Sequence, residues 1–140
     1  VTLGHDFTFD EIISSSIGLG YSISEAEVGT NDFETYDFSL RVNFAYPWAY
    51  ISVGRALSFN DYMHIDTSIN SNRIRSDYTD TYDLMVTKAL GDLIPFLDRS
   101  KSIFLNVAYE KVFSEANIIN YDYEAESLSF SLSKSFHLNK

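Results

Sequence analysis

The chain has 140 residues and a mass of 16.0 kDa, which fits a single domain spanning residues 1–140. Its twenty acidic and ten basic residues give a formal net charge of -10. A negative surface repels the phosphate backbone, so we do not expect the chain to bind nucleic acid. The absence of cysteine excludes disulfides, thiolate nucleophiles and iron–sulfur clusters. Because the chain opens at Val1 with neither an initiator methionine nor a signal segment, we expect a processed or partial chain.

Alternation of apolar and polar residues is the dominant pattern along the chain. It recurs six times, from Ile13 to Ile23, Tyr36 to Tyr46, Ala49 to Phe59, Tyr82 to Leu90, Ile103 to Phe113 and Leu128 to Phe136. A shorter alternation at Phe7 and Phe9 adds part of a seventh segment. Because successive side chains of a strand point to opposite faces, each stripe predicts a strand with one apolar and one polar face.

The length of the stripes favours strands that cross a membrane. Each covers about 9 to 11 residues, which at a tilt of about 45° spans the apolar band of an outer membrane, whereas ordinary strands are usually about 5 or 6 residues long. Connections at 46–48 and 91–100, expected as periplasmic turns, alternate with polar connections at 24–34, 60–80 and 115–121, expected as extracellular loops. The sequence therefore predicts an all-β fold, an antiparallel up-and-down transmembrane β-barrel.

Two groups of residues are candidates for functional positions in such a barrel. Polar residues of inward parity are candidates for lining the lumen: Asp37, Arg41, Asn43, Asp83, Asn106 and Glu110. They set the polarity of a channel, or else they pack against a plug or hydrogen-bond across a narrow lumen. Aromatic residues near the ends of the stripes are candidates for the interfacial girdles: Tyr46, Trp48, Tyr82 and Phe136.

Charged residues of outward parity test this topology. Arg55 falls in the middle of an apolar stripe, where a lipid-facing arginine costs about 2–4 kcal/mol, so either a bulge beside Gly54 turns it inward or it meets a partner. Three carboxylates share the parity of the last stripe: Asp122, Glu124 and Glu126. We therefore expect that stripe to leave the membrane between Glu126 and Leu128.

The sequence contains no constellation that predicts catalysis or a cofactor. No serine lies in a Gly-x-Ser-x-Gly elbow, and His5, His64 and His137 are too far apart to indicate a metal site. Two acidic groups, Asp77, Asp80 and Asp83 and also Asp122, Glu124 and Glu126, either hold divalent cations or form a solvated acidic surface. We expect no enzyme activity, no cofactor and no metal site.

Six strands do not complete a membrane barrel. Bacterial single-chain barrels start at eight strands, and an open sheet in lipid leaves backbone groups unpaired at both edges. We therefore expect about six strands of a larger barrel, or one of several chains that close a barrel together.

The second half of the chain resembles the C-terminal hairpins of Gram-negative outer membrane barrels. The resemblance lies in Arg75-Ser-Asp77, Lys88-Ala-Leu90, the run from Ser114 to Tyr123 and the Ser/Leu alternation from Ser127 to Phe136. More narrowly, it is similar to barrels that follow tetratricopeptide-type repeats, such as surface lipoprotein assembly modifiers and exopolysaccharide export porins. The resemblance implies a location in the outer membrane of a Gram-negative bacterium, contact with its lipid and lipopolysaccharide, and recognition of Phe136 by the barrel assembly machinery.

Two functional hypotheses follow from these observations. The first is a barrel segment that forms a channel, export pore or anchor, with no chemistry of its own. The second is a soluble antiparallel barrel or sandwich that binds a small ligand or a protein, with its apolar face turned inward. Alternation by itself is compatible with both, whereas the stripe length, the rim aromatics and the loop asymmetry favour the first.

Overall fold

A computed structural model describes residues 1–25, 32–65, 72–94, 103–118 and 121–134. These residues form one seven-stranded sheet in which each strand pairs antiparallel with its neighbour in sequence. The elements are β1 (Thr2–Thr8), β2 (Ile13–Ser24), β3 (Phe33–Tyr46), β4 (Ala49–Tyr62), β5 (Ser76–Ala89), α1 (Leu90–Leu93), β6 (Ile103–Ala116) and β7 (Tyr123–Lys134). The predicted all-β, antiparallel up-and-down architecture is confirmed, and the sheet is open rather than closed into a barrel.

The structure has seven strands where about six were predicted, because β1, expected only as part of a strand around Phe7 and Phe9, is a complete partner of β2. It pairs along its whole length, with Thr2 opposite Gly20 and Thr8 opposite Ser14. Its apolar parity contains His5 between Leu3 and Phe7, which interrupts the hydrophobic pattern in the sequence. Backbone pairing to β2 forms the strand despite that weak pattern, because ladder hydrogen bonds do not depend on side-chain identity.

The fifth strand also differs from its predicted bounds. It begins at Ser76, six residues before the predicted stripe at Tyr82, so part of the expected long loop is sheet. The charge of Asp80 hides the alternation there, although Asp80 lies directly opposite Leu57 of β4. At its other end the strand stops at Ala89, and Leu90 begins the short helix α1.

The pairing of β3 with β4 resolves the position of Arg55. The register runs without a bulge, with Arg41 opposite Gly54 and Leu40 opposite Arg55. Arg55 therefore stays on the same face as Leu40, and the bulge expected as one alternative is absent from this pair.

The two faces of the sheet differ in composition and in burial. We call the face that carries Leu40 and Arg55 the apolar face, and the face that carries Arg41 and Gly54 the polar face. Ala49 is the only buried hydrophobic residue among those the structure describes, whereas Phe130 on the apolar face is 67% exposed. Ser52 on the polar face is 1% exposed. The sheet therefore has no enclosed apolar core, and its large apolar side chains point outward from the chain.

Within the described ranges, no helix has the length and apolar character needed to cross a bilayer.

The register of β1 is testable by disulfide formation. Asp6 lies opposite Ser16, so their Cβ atoms are within about 5.5 Å, close to disulfide distance. We expect Asp6→Cys with Ser16→Cys to form an intrachain disulfide, detected by mass after alkylation. The control pair is Asp6→Cys with Ser22→Cys, which lies six residues and about 20 Å further along β2 and should stay reduced. Equal oxidation of both pairs would contradict this register.

Candidate functional site

Charges on the polar face are concentrated in one row of directly paired residues. The row crosses six strands and contains, in order, Asp6, Ser16, Arg41, Gly54, Asp83 and Glu110. The rows immediately above and below contain only uncharged residues, such as Ser39 and Ala56 on one side and Asn43 and Ser52 on the other. Three carboxylates oppose one guanidinium in this row, so it carries an excess of negative charge.

Gly54 permits the central ion pair of this charged row. Arg41 on β3 and Asp83 on β5 flank Gly54 on β4, and Arg41 Nη2 lies 2.8 Å from Asp83 Oδ1. A Cβ atom at Gly54 would overlap the Asp83 carboxylate. The absence of a side chain on the middle strand therefore lets the two outer strands make a salt bridge across it.

The remaining predicted lining residues make local contacts on the polar face. Asp37 accepts a hydrogen bond from Ser58 Oγ at 2.8 Å, and Asn43 Nδ2 lies 3.4 Å from Ser14 Oγ. Asn106 accepts from Thr87 at 2.8 Å and donates to Ser133 at 3.1 Å. All six predicted residues thus share one face, and two of them, Arg41 and Asp83, form a salt bridge. Sequence reasoning missed Asp6, because the strand that carries it was not predicted in full.

The polar face also contains unmet hydrogen-bonding capacity. Asn43 and Ser52 lie directly opposite each other, and Asn43 Oδ1 and Ser52 Oγ are both buried without a hydrogen-bond partner in the described part of the chain. Asn43 also lines a cavity of about 300 Å³ near the turn end of the sheet, together with Thr8, Asp10 and Tyr50. Buried polar atoms are usually hydrogen-bonded, so this region can accept a further polar group.

The apolar run on each strand ends in the same way toward the loops. The apolar residue next to this end of the run is Ile23, Tyr36, Phe59, Tyr82, Tyr109 or Leu128, on β2 to β7 respectively, and Tyr78 on β5 and Phe113 on β6 lie beyond it. Two positions further on the same parity lies a charged residue: Glu25, Glu34, Asp61, Asp80, Lys111 or Glu126. These charges define one boundary of the apolar face, and four of the six residues just inside it are aromatic.

This boundary runs diagonally across the sheet. Glu34 and Asp61 lie in the same row of paired residues. Asp80 lies four residues further from the loop end of the sheet than that row, and Lys111 lies two residues further than Asp80. Glu126 lies in the row of Lys111. The boundary thus descends six residues over four strand steps. With about 3.3 Å per residue and about 4.8 Å between strands, this slope corresponds to strands tilted by about 45° from the normal of the boundary. Strands of outer membrane barrels are tilted by about 35–45°.

The depth of the apolar face agrees with the same geometry. On β3 the apolar run extends from Tyr36 to Tyr46, ten residue steps and about 33 Å along the strand. At a tilt of about 45° this length covers about 23 Å along the normal, close to the apolar band of about 25 Å in outer membrane barrels.

Arg55 meets a charged partner at the diagonal boundary. Its Nε and Nη2 atoms lie 3.0 and 2.8 Å from the two carboxylate oxygens of Asp80. Tyr82 and Tyr78 donate further hydrogen bonds to Asp80 Oδ2 at 2.9 and 3.2 Å, and the Arg55 guanidinium lies 5.1 Å from the Tyr82 ring centre. The bidentate pair places the Arg55 charge toward the charged boundary instead of leaving it isolated among apolar side chains.

Both acidic groups that the sequence offered as candidate cation sites form salt bridges with basic side chains. Lys111 Nζ lies 2.6 Å from Glu124 Oε1 and 2.8 Å from Glu126 Oε1. Three aspartates each pair with a different arginine: Asp77 with Arg75, Asp80 with Arg55 and Asp83 with Arg41. The carboxylates are therefore distributed among separate salt bridges on the two faces. In the described ranges, no three carboxylate or imidazole side chains converge on a point where they would hold a metal.

The predicted girdle residues lie at both ends of the apolar face. Tyr46 and Trp48 stack with ring centres 5.6 Å apart at the β3–β4 turn, and Lys88 Nζ lies 5.9 Å from the Trp48 ring centre. Tyr82 lies just inside the charged boundary at the other end, where its ring also contacts Phe113. Phe136 falls outside the described residues.

An arginine is held between aromatic rings at the loop end of the polar face. The Arg75 guanidinium lies 3.6 Å from the Tyr121 ring centre and 4.7 Å from that of Tyr62, and Phe33 packs against Tyr62. Partial burial lowers the pKa of Arg75, but the hydrogen bond and charge of Asp77 raise it more, so the net pKa lies above its ordinary value. This cluster ties the connection before β5 to the one before β7, and no spacing in the sequence indicated it.

No family model, curated protein or solved structure matches the chain.

The role of Gly54 is testable by adding one methyl group. We expect Gly54→Ala to displace Asp83 from Arg41 and to lower the free energy of unfolding by about 1–3 kcal/mol, as overpacking does. Urea unfolding of the detergent-refolded protein measures this loss. Gly4→Ala is the control, since its Cβ would meet only the Ile17 carbonyl oxygen at an ordinary 3.6 Å. An equal loss in both variants would contradict the packing argument.

Proposed function

We propose that this sheet is part of the wall of a Gram-negative outer membrane β-barrel that serves passage or anchoring and performs no chemistry of its own. The apolar face contacts lipid, the polar face lines the lumen, and the ends carrying the longer connections face the exterior. The resemblance of the second half of the chain to C-terminal hairpins of such barrels agrees with this proposal.

One observation carries the proposal: the diagonal boundary of the apolar face. A charged residue ends or interrupts the apolar run on each of six consecutive strands, and the slope of this boundary and the depth of the run on β3 agree with the tilt and apolar band of outer membrane barrels. A soluble sheet that buries one face against a second layer needs no such slope. Exposure supports the same conclusion, because Leu128, Phe130 and Leu132 are 61 to 67% exposed while Ser52 and Ser114 on the polar face are buried.

The proposed lumen is polar and carries excess negative charge. Because the strands of the proposed wall are tilted by about 45°, each residue of the charged row lies closer to the exterior side of the membrane than the one on the strand before it, from β1 to β6. Asp83 and Glu110 therefore lie near the outer mouth. Asp37 lies near the same mouth on β3, two rows closer to the loop end than Arg41. Rings of carboxylates favour cations over anions in channels. We propose that the passage favours neutral or cationic solutes or polymers.

Adjacent residues on opposite faces test the orientation of the wall. Val42 and Asn43 are neighbours on β3 but point to the apolar and polar faces respectively. We expect Val42→Asp to abolish folded, membrane-inserted protein, because it places a charge in the lipid band. Asn43→Asp, a nearly isosteric change on the polar face beside the cavity that Asn43 lines, should retain much more assembled protein than Val42→Asp. Heat-modifiable migration of outer membrane fractions on gels measures both.

The alternative of a soluble ligand-binding domain predicts a different outcome. In that case Val42 packs inside a folded protein that needs no detergent, and Val42→Asp yields unfolded soluble material rather than failed membrane insertion. Recovery of wild-type protein in the soluble fraction, or equal tolerance of the Val42 and Asn43 variants, would overturn the proposed wall.

The charge of the lumen is testable by ion selectivity. We expect the whole protein in planar bilayers to show a reversal potential that favours cations in a salt gradient, and Glu110→Gln to shift it toward zero, because a mouth carboxylate is removed. Glu115→Gln is the matched control, since it removes the same charge from the same strand on the opposite face. A shift of equal size in both variants would contradict the assignment of the lumen.

A further inference from the structure

The sheet ends in two strands that each have an unpaired edge. β7 pairs with β6 from Tyr123 to Lys134, and β1 pairs with β2 from Thr2 to Thr8. Neither strand has a second neighbour among the described residues. Each edge therefore presents a series of backbone N–H and C=O groups without a ladder partner, and lipid offers no such partner.

The edge of β7 has the features of a strand that pairs further. Leu128, Phe130 and Leu132 alternate strictly with serines at 127, 129, 131 and 133. No proline, bulge or inward-pointing charge interrupts this stretch, although natural edge strands use such devices to prevent pairing. Its charged residues, such as Glu126 and Lys134, lie at its two ends, outside the apolar run.

The number of strands limits what can pair with both edges. Because seven strands alternate in direction, β1 and β7 run the same way. A second copy in the same membrane orientation would bring its β1 beside β7 as a parallel pair, whereas every pair in this sheet is antiparallel. Two copies can pair β7 with β7 antiparallel only if a two-fold axis lies in the membrane plane. That arrangement would place the loops of the second copy on the opposite side of the membrane.

We infer that β1 and β7 are both paired by one complementary sheet segment that contains an odd number of strands, and not by a second copy of this seven-stranded unit. The inference rests on the proposed membrane wall. The first and last strands of the complementary segment run opposite to β1 and β7, with small or polar side chains toward the lumen and apolar ones toward lipid. An odd complement gives the even total that closed antiparallel barrels have.

Hydrogen exchange and mass together test this inference on the whole protein extracted from its membrane in detergent. We expect one copy of these 140 residues per particle by native mass spectrometry, in a particle whose protein mass exceeds 16.0 kDa. Peptides covering β7 should exchange as slowly as those covering β4, at least about 100-fold slower than unpaired amides, because both edges of β7 are paired.

Cysteine variants distinguish the two kinds of partner. An intermolecular disulfide formed by Ser129→Cys alone would indicate a two-fold contact between two β7 strands. An intermolecular disulfide formed only when Gly4→Cys is combined with Ser129→Cys would indicate a contact between β1 of one copy and β7 of another. Intermolecular disulfides in either, or two copies of these residues per particle, would overturn the inference. Rapid exchange of β7, or a lone chain of 16.0 kDa with β7 protected, would also overturn it. These outcomes are separate from failure of the proposed wall, which is read from the Val42 and Asn43 variants.

Discussion

Antiparallel backbone pairing is the constraint on which the rest of this structure depends. Each ladder fixes which residues face each other, and because side chains alternate, a slip of one residue would exchange the two faces of a strand. Six consecutive pairings hold most of the apolar residues on one face and most of the serines and the strand glycines on the other. Stability within the chain comes from this ladder and from cross-strand contacts, since the described residues enclose no apolar core.

Charge pairing is organised differently on the two faces. On the polar face, Arg41 and Asp83 join strands that are not neighbours, which requires a glycine on the strand between them. On the apolar face, Arg55 and Asp80 join neighbouring strands at the boundary where the apolar run ends. A charge in an apolar environment is tolerated when it is paired and hydrogen-bonded, and the tyrosines around Asp80 supply the further hydrogen bonds.

The diagonal boundary connects local pairing to the proposed function. Register alone produces rows at right angles to the strands, and nothing in a flat, untilted sheet would shift the charged boundary by six residues between β3 and β7. The shift is explained when the surroundings are a layered medium that the strands cross at an angle. In the proposed wall, the same tilt would bring Asp83 and Glu110 close to the outer mouth and would match the apolar band to the thickness of an outer membrane.

The sequence by itself determined the all-β class, the position of six strands and the division into two faces, because period-two alternation is a local property of each strand. It also placed all six candidate lining residues on one face. Only the tertiary structure decided that β1 is a strand, that Asp80 and Arg55 are partners and that Gly54 lies beneath the Arg41–Asp83 pair. Those facts depend on which residues pair across strands. The alternation within one strand does not specify which residue of the neighbouring strand lies opposite.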